Sequence, residues 1–466
     1  MASTTVHRSS LPALIAAYLG LFVGLIDSNA VNLALPAIRA ELGGGVSGVQ
    51  WTADAYNVTF AAMLLTAGSL GDRFGRRRML RVGLLGFAAA SLACVVAPTL
   101  GVLLTTRCVQ GVAAAVMLPQ GLALAAAAFP DAAGRTRATA AWAMAAASSA
   151  ALGPVLGGVL TDTVGWRVIF LLNVPVGLVA LAMSFRYLPE SRNPRAASID
   201  VTGQLLAIVA LGTLTVVLVE GRTLGATWTV ALVAVVVLAS SAFALGQRRT
   251  AEPMIPAGFA GNRRLVVALV ATFAMTFGTY GLLMVNSLAF QQQRGATALE
   301  TALAFLPMPL AYLALIPAAS VVARRRGSRL PMTVGLTLMG AGMMLYAAAG
   351  PNAGIGVLEV AFVLAGAGLA FNTGPAVAMA LSAVPVERAG LASGVVNLAR
   401  LIGITVGIAV LGTVLAMVGG DADSGTAFAN GVRAAVLVGG IVEIAGAVVV
   451  SAFVTTARTE REVCHA

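Results

Sequence analysis

Lysine is absent from this chain of 466 residues, and all 29 of its basic side chains are arginine. A Walker-type phosphate loop needs its lysine, so ATP-driven work by the chain itself is excluded, as is lysine Schiff-base chemistry. Histidine and cysteine are nearly as scarce. His7 and His465 sit far apart, and Cys94, Cys108 and Cys464 are scattered, so no metal site, Cys-His pair or disulfide framework is readable. No cofactor loop or catalytic constellation accompanies them, which argues against an enzyme. Charge is sparse too: 10% of residues are charged and 59% are hydrophobic, where soluble domains carry about 25% charge. The composition is that of an all-α integral membrane protein with the lipid bilayer as its solvent.

Long apolar runs fill the rest. At about 20 apolar residues per span, helices are expected near 12–36, 49–71, 79–97, 100–128, 138–160, 167–188, 201–221, 227–246, 264–290, 299–323, 331–349, 354–384, 388–417 and 431–454. That makes fourteen. The first run, from about Pro12, is too long for a signal-peptide core and has no small-residue cleavage pattern behind it, so it reads as a retained helix.

The arginines test this count. Loops on one side, with both ends of the chain, hold 22 of them, including Arg8, Arg135, Arg137, Arg195, Arg388, Arg458 and Arg461; loops on the other side hold 5. Only Arg107 and Arg400 fall within spans. Arginine-rich loops stay cytoplasmic, so both ends are expected inside a cytoplasmic membrane. The net charge of +11 is topological on this reading and does not speak for nucleic acid.

Between the second and third runs lies Gly68 to Arg78, a compact turn carrying Asp72, Arg73, Arg76, Arg77 and Arg78, with Gly75 among them. A solvated charge run accounts for the arginines alone. Asp72 ends a helix, where the macrodipole disfavours negative charge unless a cation or another helix's N-terminus answers it. The stretch therefore reads as a structural latch. Arg73-x-Gly75-x-Arg77 recurs 252 residues later as Arg325-x-Gly327-x-Arg329. The echo suggests an N-terminal six-helix bundle over 1–195, an inserted helix pair over 196–250 and a C-terminal six-helix bundle over 251–466. Such repeats imply a midplane binding site and alternating access.

Ionisable residues inside spans are expensive and are functional candidates by default. Asp27 in the first helix and Arg107 in the fourth reach similar depth at roughly 1.5 Å per residue, so they are candidates to pair. Rocking that alters their access or spacing would move a proton; the alternative is a static salt bridge joining two helices. Asp54, beside Trp51 and Tyr56, is either a proton or cation group at the mouth or a solvated bystander. Trp51, Trp166 and Trp228 fall at expected outer ends, as in an aromatic belt. Glu443 is the deepest acid of the second half; it serves a substrate cation or proton, or else neutralises Arg400, the option favoured here. Glu359 lies nearer the outer surface. Asn32, Gln110, Asn372 and Glu443 are the candidate substrate-cavity residues. Gly366-x-Gly368 and Gly374-Pro375 suggest a flexible cavity wall. Gly153, Pro154, Gly157 and Gly158 suggest a kink and a tight helix seam.

Several of these stretches resemble one family. Gly68 and Gly71 to Arg77 match the G-x-x-x-D-R-x-G-R-R loop of the major facilitator superfamily. The run from Leu25 to Pro36 is similar to the first-helix motif of its fourteen-helix drug:proton antiporter group, which includes methylenomycin-resistance-type exporters, although Asn29 stands where Thr is usual and Ile26 where Leu is. Arg107 to Gly111 resembles R-x-x-Q-G of the fourth helix, and Gly153 to Gly158 resembles the antiporter motif G-P-x-x-G-G. Asn173-Val174-Pro175 and Ala389 to Gly394 also fit the group. The resemblance implies two six-helix bundles plus an inserted pair, a proton-transfer role for Arg107, and an outward direction of transport. The expected function is proton-coupled export of drugs, antibiotics or related small organic compounds by a monomer. The alternatives are proton-coupled import of a small organic solute and a non-transporting membrane sensor with the same fold.

Overall fold

The computed structural model describes residues 10–127, 145, 148–149, 152–192, 200–250, 257–384, 389–420 and 425–453. Arg8, Arg135, Arg137, Arg195, Arg388, Arg458, Arg461, His7, His465, Cys464 and most of the expected helix before residue 152 lie outside them. Among the described residues the structure is helical and contains no strand.

The helices are α1 (Ser10–Leu42), α2 (Gly45–Phe74), α3 (Arg76–Val95), α4 (Leu100–Ala127), α5 (helical over 152–163) and α6 (Arg167–Tyr187). They continue as α7 (Val201–Gly221), α8 (Thr223–Arg249), α9 (Arg263–Leu288), α10 (Ala298–Arg326), α11 (Arg329–Ala349), α12 (Ile355–Ser382), α13 (Ala389–Gly419) and α14 (Gly425–Phe453). Among the described residues, 12 helices are long and apolar enough to cross a membrane. The chain is a multi-pass membrane protein. The two helices outside that set are α5, described only in part, and α2, whose 30 residues include Asp54, Asp72 and Arg73. A count of fourteen is consistent with these segments.

Boundaries follow local chemistry. Gly75 at φ 103° and Gly327 at φ 76° break α2 from α3 and α10 from α11, in backbone regions that side chains other than glycine's rarely enter. The Asn262 side chain accepts from Leu265 N–H to open α9, and Thr297 with Glu300 forms a capping box that opens α10. Three elements depart from expectation. Helix α1 runs through Pro36 to Leu42, so Arg39 ends the helix instead of entering a loop. The connection of α7 to α8 is a tight turn instead of a loop: Gly225 at φ 77° breaks the helical backbone, and Thr229 donates back to the Gly221 carbonyl at 2.9 Å. Helix α10 is interrupted at Leu306, where Pro307 lacks the amide hydrogen that would continue the ladder.

The chain forms two compact units. One comprises residues 1–44 and 51–208; the other comprises residues 45–50 and 209–466. In the first, α3 packs on α4 and α6, and α1 packs on α4 and α6. In the second, α9 lies against α13 and α14, while α12 lies between α10 and α11. Leu265, Met332, Leu336, Met339, Met379 and Val450 belong to the buried core of the second unit. Apolar side chains also cover surfaces with no protein partner. On α8 most side chains are exposed, and Trp228, Val230 and Leu238 are at least two-thirds so, as a lipid-facing helix requires.

Candidate functional site

Glycines set the site by letting backbones touch. A Cβ on Gly111 of α4 would collide with the Tyr56 carbonyl and Thr59 hydroxyl of α2, so these helices cross at backbone distance. One turn earlier on α4, Arg107 therefore reaches the Thr52 carbonyl of α2 at 3.3 Å and lies over the Tyr56 ring, 4.6 Å from its centroid. Tyr56 in turn donates to the Gly24 carbonyl of α1 at 3.4 Å. The three helices thus meet around one arginine.

That arginine is paired. Arg107 Nη1 binds Asp27 Oδ2, as their expected depths implied, and both side chains are sealed from solvent, at 1% and 0% exposure. Nη1 also donates to Gln110 Oε1 at 2.6 Å, while Gln110 Nε2 donates to Asp27 Oδ1 at 3.1 Å and Ser91 Oγ at 2.9 Å. Asn173 of α6 closes the ring, donating to Asp27 Oδ1 at 2.7 Å and Ser91 Oγ at 3.3 Å. Both Asp27 oxygens are thereby held by donors from α4 and α6. In a low-dielectric setting such a satisfied pair is stable, but removing either partner strands a buried charge.

The small-residue stretch on α5 abuts this network. A Cβ on Gly153 would come within 2.6 Å of Asn29 Cβ, and one on Gly157 within 2.6 Å of the Ala30 carbonyl oxygen. Pro154 and Gly158 are buried beside them. The seam's partner is therefore α1, two or three residues beyond Asp27.

A model of the Major Facilitator Superfamily matches residues 17–260 and 268–464. The chain belongs to that superfamily. It is 37% identical to the multidrug resistance protein Stp of Mycobacterium tuberculosis over 412 residues, covering 88% of this chain and 76% of Stp. It is 34% identical to the methylenomycin A resistance protein of Streptomyces coelicolor, covering 85% and 84% of the two chains, and 33% identical to the tetracenomycin C resistance and export protein of Streptomyces glaucescens, covering 88% and 77%. The fold resembles a crystallised POT family transporter, with a TM-score of 0.70 at 14% identity over 95% of each chain, and the nucleoside transporter NupG, with a TM-score of 0.67 at 12% identity over 96% and 100%.

Other candidates of this superfamily chain take less expected places. Asp54 is not solvated: it is 0% exposed, and neither carboxylate oxygen has a hydrogen-bond partner among the described residues. Trp166 is no belt residue, because its indole is buried and donates to Glu41 at 2.7 Å while Phe170 meets it edge-on. Asn32, Gln110, Asn372 and Glu443 are all closed off, at 3%, 0%, 0% and 0% exposure. Gln110 sits inside the Asp27 network, and Asn372 donates to the Ala271 carbonyl at 3.0 Å. Glu443 does not neutralise Arg400. Both its oxygens lack a hydrogen-bond partner among the described residues, and it packs against Gly278, where a Cβ would strike it. Gly366 and Gly368 make tight contacts with Met308 of α10 and Met339 of α11, so they form a seam and not a pliant wall; Gly374 alone has open space.

In the charged turn, Asp72 is answered by Arg76 at 2.8 Å across the Gly75 break. Arg76 N–H donates to the Ser191 carbonyl at 2.8 Å, Arg77 N–H to Glu190 Oε1 at 3.0 Å, and Arg77 Nη1 to the Leu188 carbonyl at 2.9 Å. The turn is tied to the segment after α6. Arg73 is exposed, and Gly68 is half-buried with open space where a Cβ would stand, so no close approach demands glycine there.

Residues that sequence reasoning left without a role are Asn173, Ser91 and Tyr56. An amide two residues before Pro175 in an otherwise apolar run was the available signal for the first. Ser91 lies amid apolar neighbours with nothing to distinguish it, and Tyr56 stood out in the sequence only as an aromatic beside Asp54.

Proposed function

We propose that this superfamily member is a proton-coupled exporter of drugs, antibiotics or related small organic compounds. The relatives named above as resistance and export proteins support the substrate class and direction. The observation that carries the coupling is the Asp27–Arg107 pair, enclosed by hydrogen-bonding groups of α2, α3 and α6 and abutted by the α5 seam.

A swing of α5 against α1 loosens the ring around Asp27. The carboxylate then takes a proton from one compartment, and Arg107, which keeps its own proton, expels it when the pair re-forms. Asp54, buried and with no hydrogen-bond partner among the described residues, is the second proton group. Gly68, Asp72, Arg73, Gly75, Arg76 and Arg77 act as a latch whose ties to Leu188 and Glu190 are made in one state and released in another. Gly153, Pro154, Gly157 and Gly158 limit leakage. Asn32, Gln110, Asn372 and Glu443 supply polar surface that becomes available to substrate when helices move. The protein works as a monomer with both termini cytoplasmic, and α7 and α8 are an inserted pair between two six-helix bundles. A proton-motive force of about 150 mV supplies roughly 3.5 kcal/mol per proton, and at about 1.4 kcal/mol per decade this sustains a gradient of a few hundredfold.

Energised inverted vesicles test the reading. Substrate-induced loss of the pH gradient that disappears in Asp27→Asn supports antiport. Proton movement with substrate toward the opposite compartment replaces it with symport, and absence of any coupled flux replaces it with a sensor.

A further inference from the structure

Two exposed apolar stripes of the first unit end in arginine at the same place. On α3 the exposed positions recur every three or four residues as Arg78, Val82, Leu85, Ala89 and Leu92. On α6 they recur as Leu171, Pro175, Leu178, Ala182 and Phe185, with exposed Arg186 next. The two helices pack side by side, and Arg81 joins their ends. Its guanidinium carbon lies 3.7 Å from the Phe185 ring centroid, while its Nε donates to Ser184 Oγ and its Nη2 to the Ser184 carbonyl, each at 3.0 Å. The ring beneath it is 63% exposed, so this cation sits at the edge of a surface that faces lipid.

Charge around that contact is unbalanced. Residues 72–81 and 184–192 hold seven arginines against two acids, Asp72 and Glu190. Both acids are engaged: Asp72 by Arg76 at 2.8 Å, and Glu190 Oε1 by the Arg77 and Ser191 N–H groups at 3.0 Å each. Arg78, Arg81 and Arg186 have no ion pair among the described residues. A guanidinium carries five donors in a planar fork that matches phosphate oxygens, and Ser184 takes two of those on Arg81. The excess of arginine on one side of the membrane sets only which leaflet these residues meet. The stripe register and the stacked ring add a place where one lipid's chains and headgroup are met together.

We propose that Arg78, Arg81 and Arg186 form a binding site for the phosphate of an anionic phospholipid whose acyl chains lie along the exposed stripes of α3 and α6. Arg81 is the fixed member, held by Ser184 and Phe185. Arg78 and Arg186 supply the unanswered charge that favours a net-negative headgroup over a zwitterionic one. The site is separate from the Asp27 network, and it does not rest on the exporter reading.

The test is native mass spectrometry of the full chain in detergent, titrated with phosphatidylglycerol and with phosphatidylcholine. The wild type binds its first phosphatidylglycerol more tightly than phosphatidylcholine. Arg78→Gln/Arg186→Gln weakens phosphatidylglycerol about 25-fold, roughly fivefold per arginine, the scale of one basic side chain at an anionic membrane surface, and leaves phosphatidylcholine unchanged. Arg325→Gln/Arg326→Gln removes the same charge from exposed positions of the second unit, where no aromatic ring underlies either arginine among the described residues, and leaves phosphatidylglycerol unchanged. Arg81→Gln weakens phosphatidylglycerol as well; should it fail to fold for want of its Ser184 ties, the Arg78/Arg186 double variant, altered only at exposed side chains, decides alone. The proposal is overturned if the wild type binds both lipids alike, or if the two double variants lose phosphatidylglycerol equally, which would make the effect general surface charge. It is also overturned if inorganic phosphate displaces the lipid where chloride at equal ionic strength does not, since the ligand would then be the free anion.

Discussion

Asn173 donates a 2.7 Å hydrogen bond to Asp27 Oδ1, the oxygen that Gln110 also reaches and that the Arg107 guanidinium leaves free. The contact joins α6 to α1 across 146 residues of sequence. It makes Asn173 a positioning residue for the carboxylate. Asn173→Ala is expected to cost about 1–3 kcal/mol, the penalty of an unmade buried hydrogen bond to a charged group, read as a lower unfolding temperature in detergent. If Asn173 merely fills space, Asn173→Leu would restore stability; the charge-holding role requires that it does not.

Removing charges from the ion pair singly and together separates a lock from a switch. Asp27→Asn strands Arg107, and Arg107→Met strands Asp27, each at about 3–5 kcal/mol. The double variant is expected to recover a large part of that loss, because no buried charge remains. Thermal unfolding of all four proteins gives the coupling energy. Coupled flux should be abolished in all three variants, including the restabilised double; a double variant that still exchanges protons would make the pair a static brace.

Much of this centre was legible in the sequence because charge is so rare in it. An aspartate and an arginine inside apolar runs stand out against hydrocarbon, and counting residues from span ends was enough to match their depth. Helix spacing likewise exposed most spans. The partners were hidden for the converse reason. Ser91, Tyr56 and Asn173 are ordinary residues whose roles arise only when five helices converge, and convergence is decided by which glycines touch which backbones. Glu443 misled for a similar reason: sequence distance cannot show that Gly278 opens a slot for it on α9, away from Arg400. Trp166 followed the belt pattern by position, yet Glu41 at the end of α1 captures its indole.

The seam makes a prediction with an internal control. Ala at Gly157 places a methyl 2.6 Å from the Ala30 carbonyl oxygen, so α5 and α1 must part, at about 1–3 kcal/mol of overpacking. Gly212 of α7 has open space around it, so Gly212→Ala should be neutral or stabilise by up to about 1 kcal/mol through helix propensity. Proton leak through reconstituted vesicles should rise for Gly157→Ala and stay at the wild-type level for Gly212→Ala. Equal leak in both would detach the seam from proton retention.

Gly75 and Gly327 occupy equivalent turns, and each precedes an arginine bound to a carbonyl at a helix end: Arg77 to Leu188 after α6, and Arg329 to Ser451 near the end of α14. Their surroundings differ. A Cβ on Gly75 would lie 2.9 Å from the Glu190 carboxylate, whereas one on Gly327 meets nothing within 4 Å. Gly327→Ala therefore reports backbone strain alone, about 1–3 kcal/mol at φ 76°, and Gly75→Ala reports strain plus collision. Adding Glu190→Ala to Gly75→Ala removes the collision but also the Arg77 N–H acceptor, so stability should recover only in part. Transport should follow a different order. If the charged turn is a latch, Gly75→Ala slows exchange more than its stability loss explains, and the double variant speeds it beyond Gly75→Ala by freeing the turn from the segment after α6. Measuring exchange rate against unfolding temperature for the three variants decides it, since a purely structural turn would keep the two in proportion.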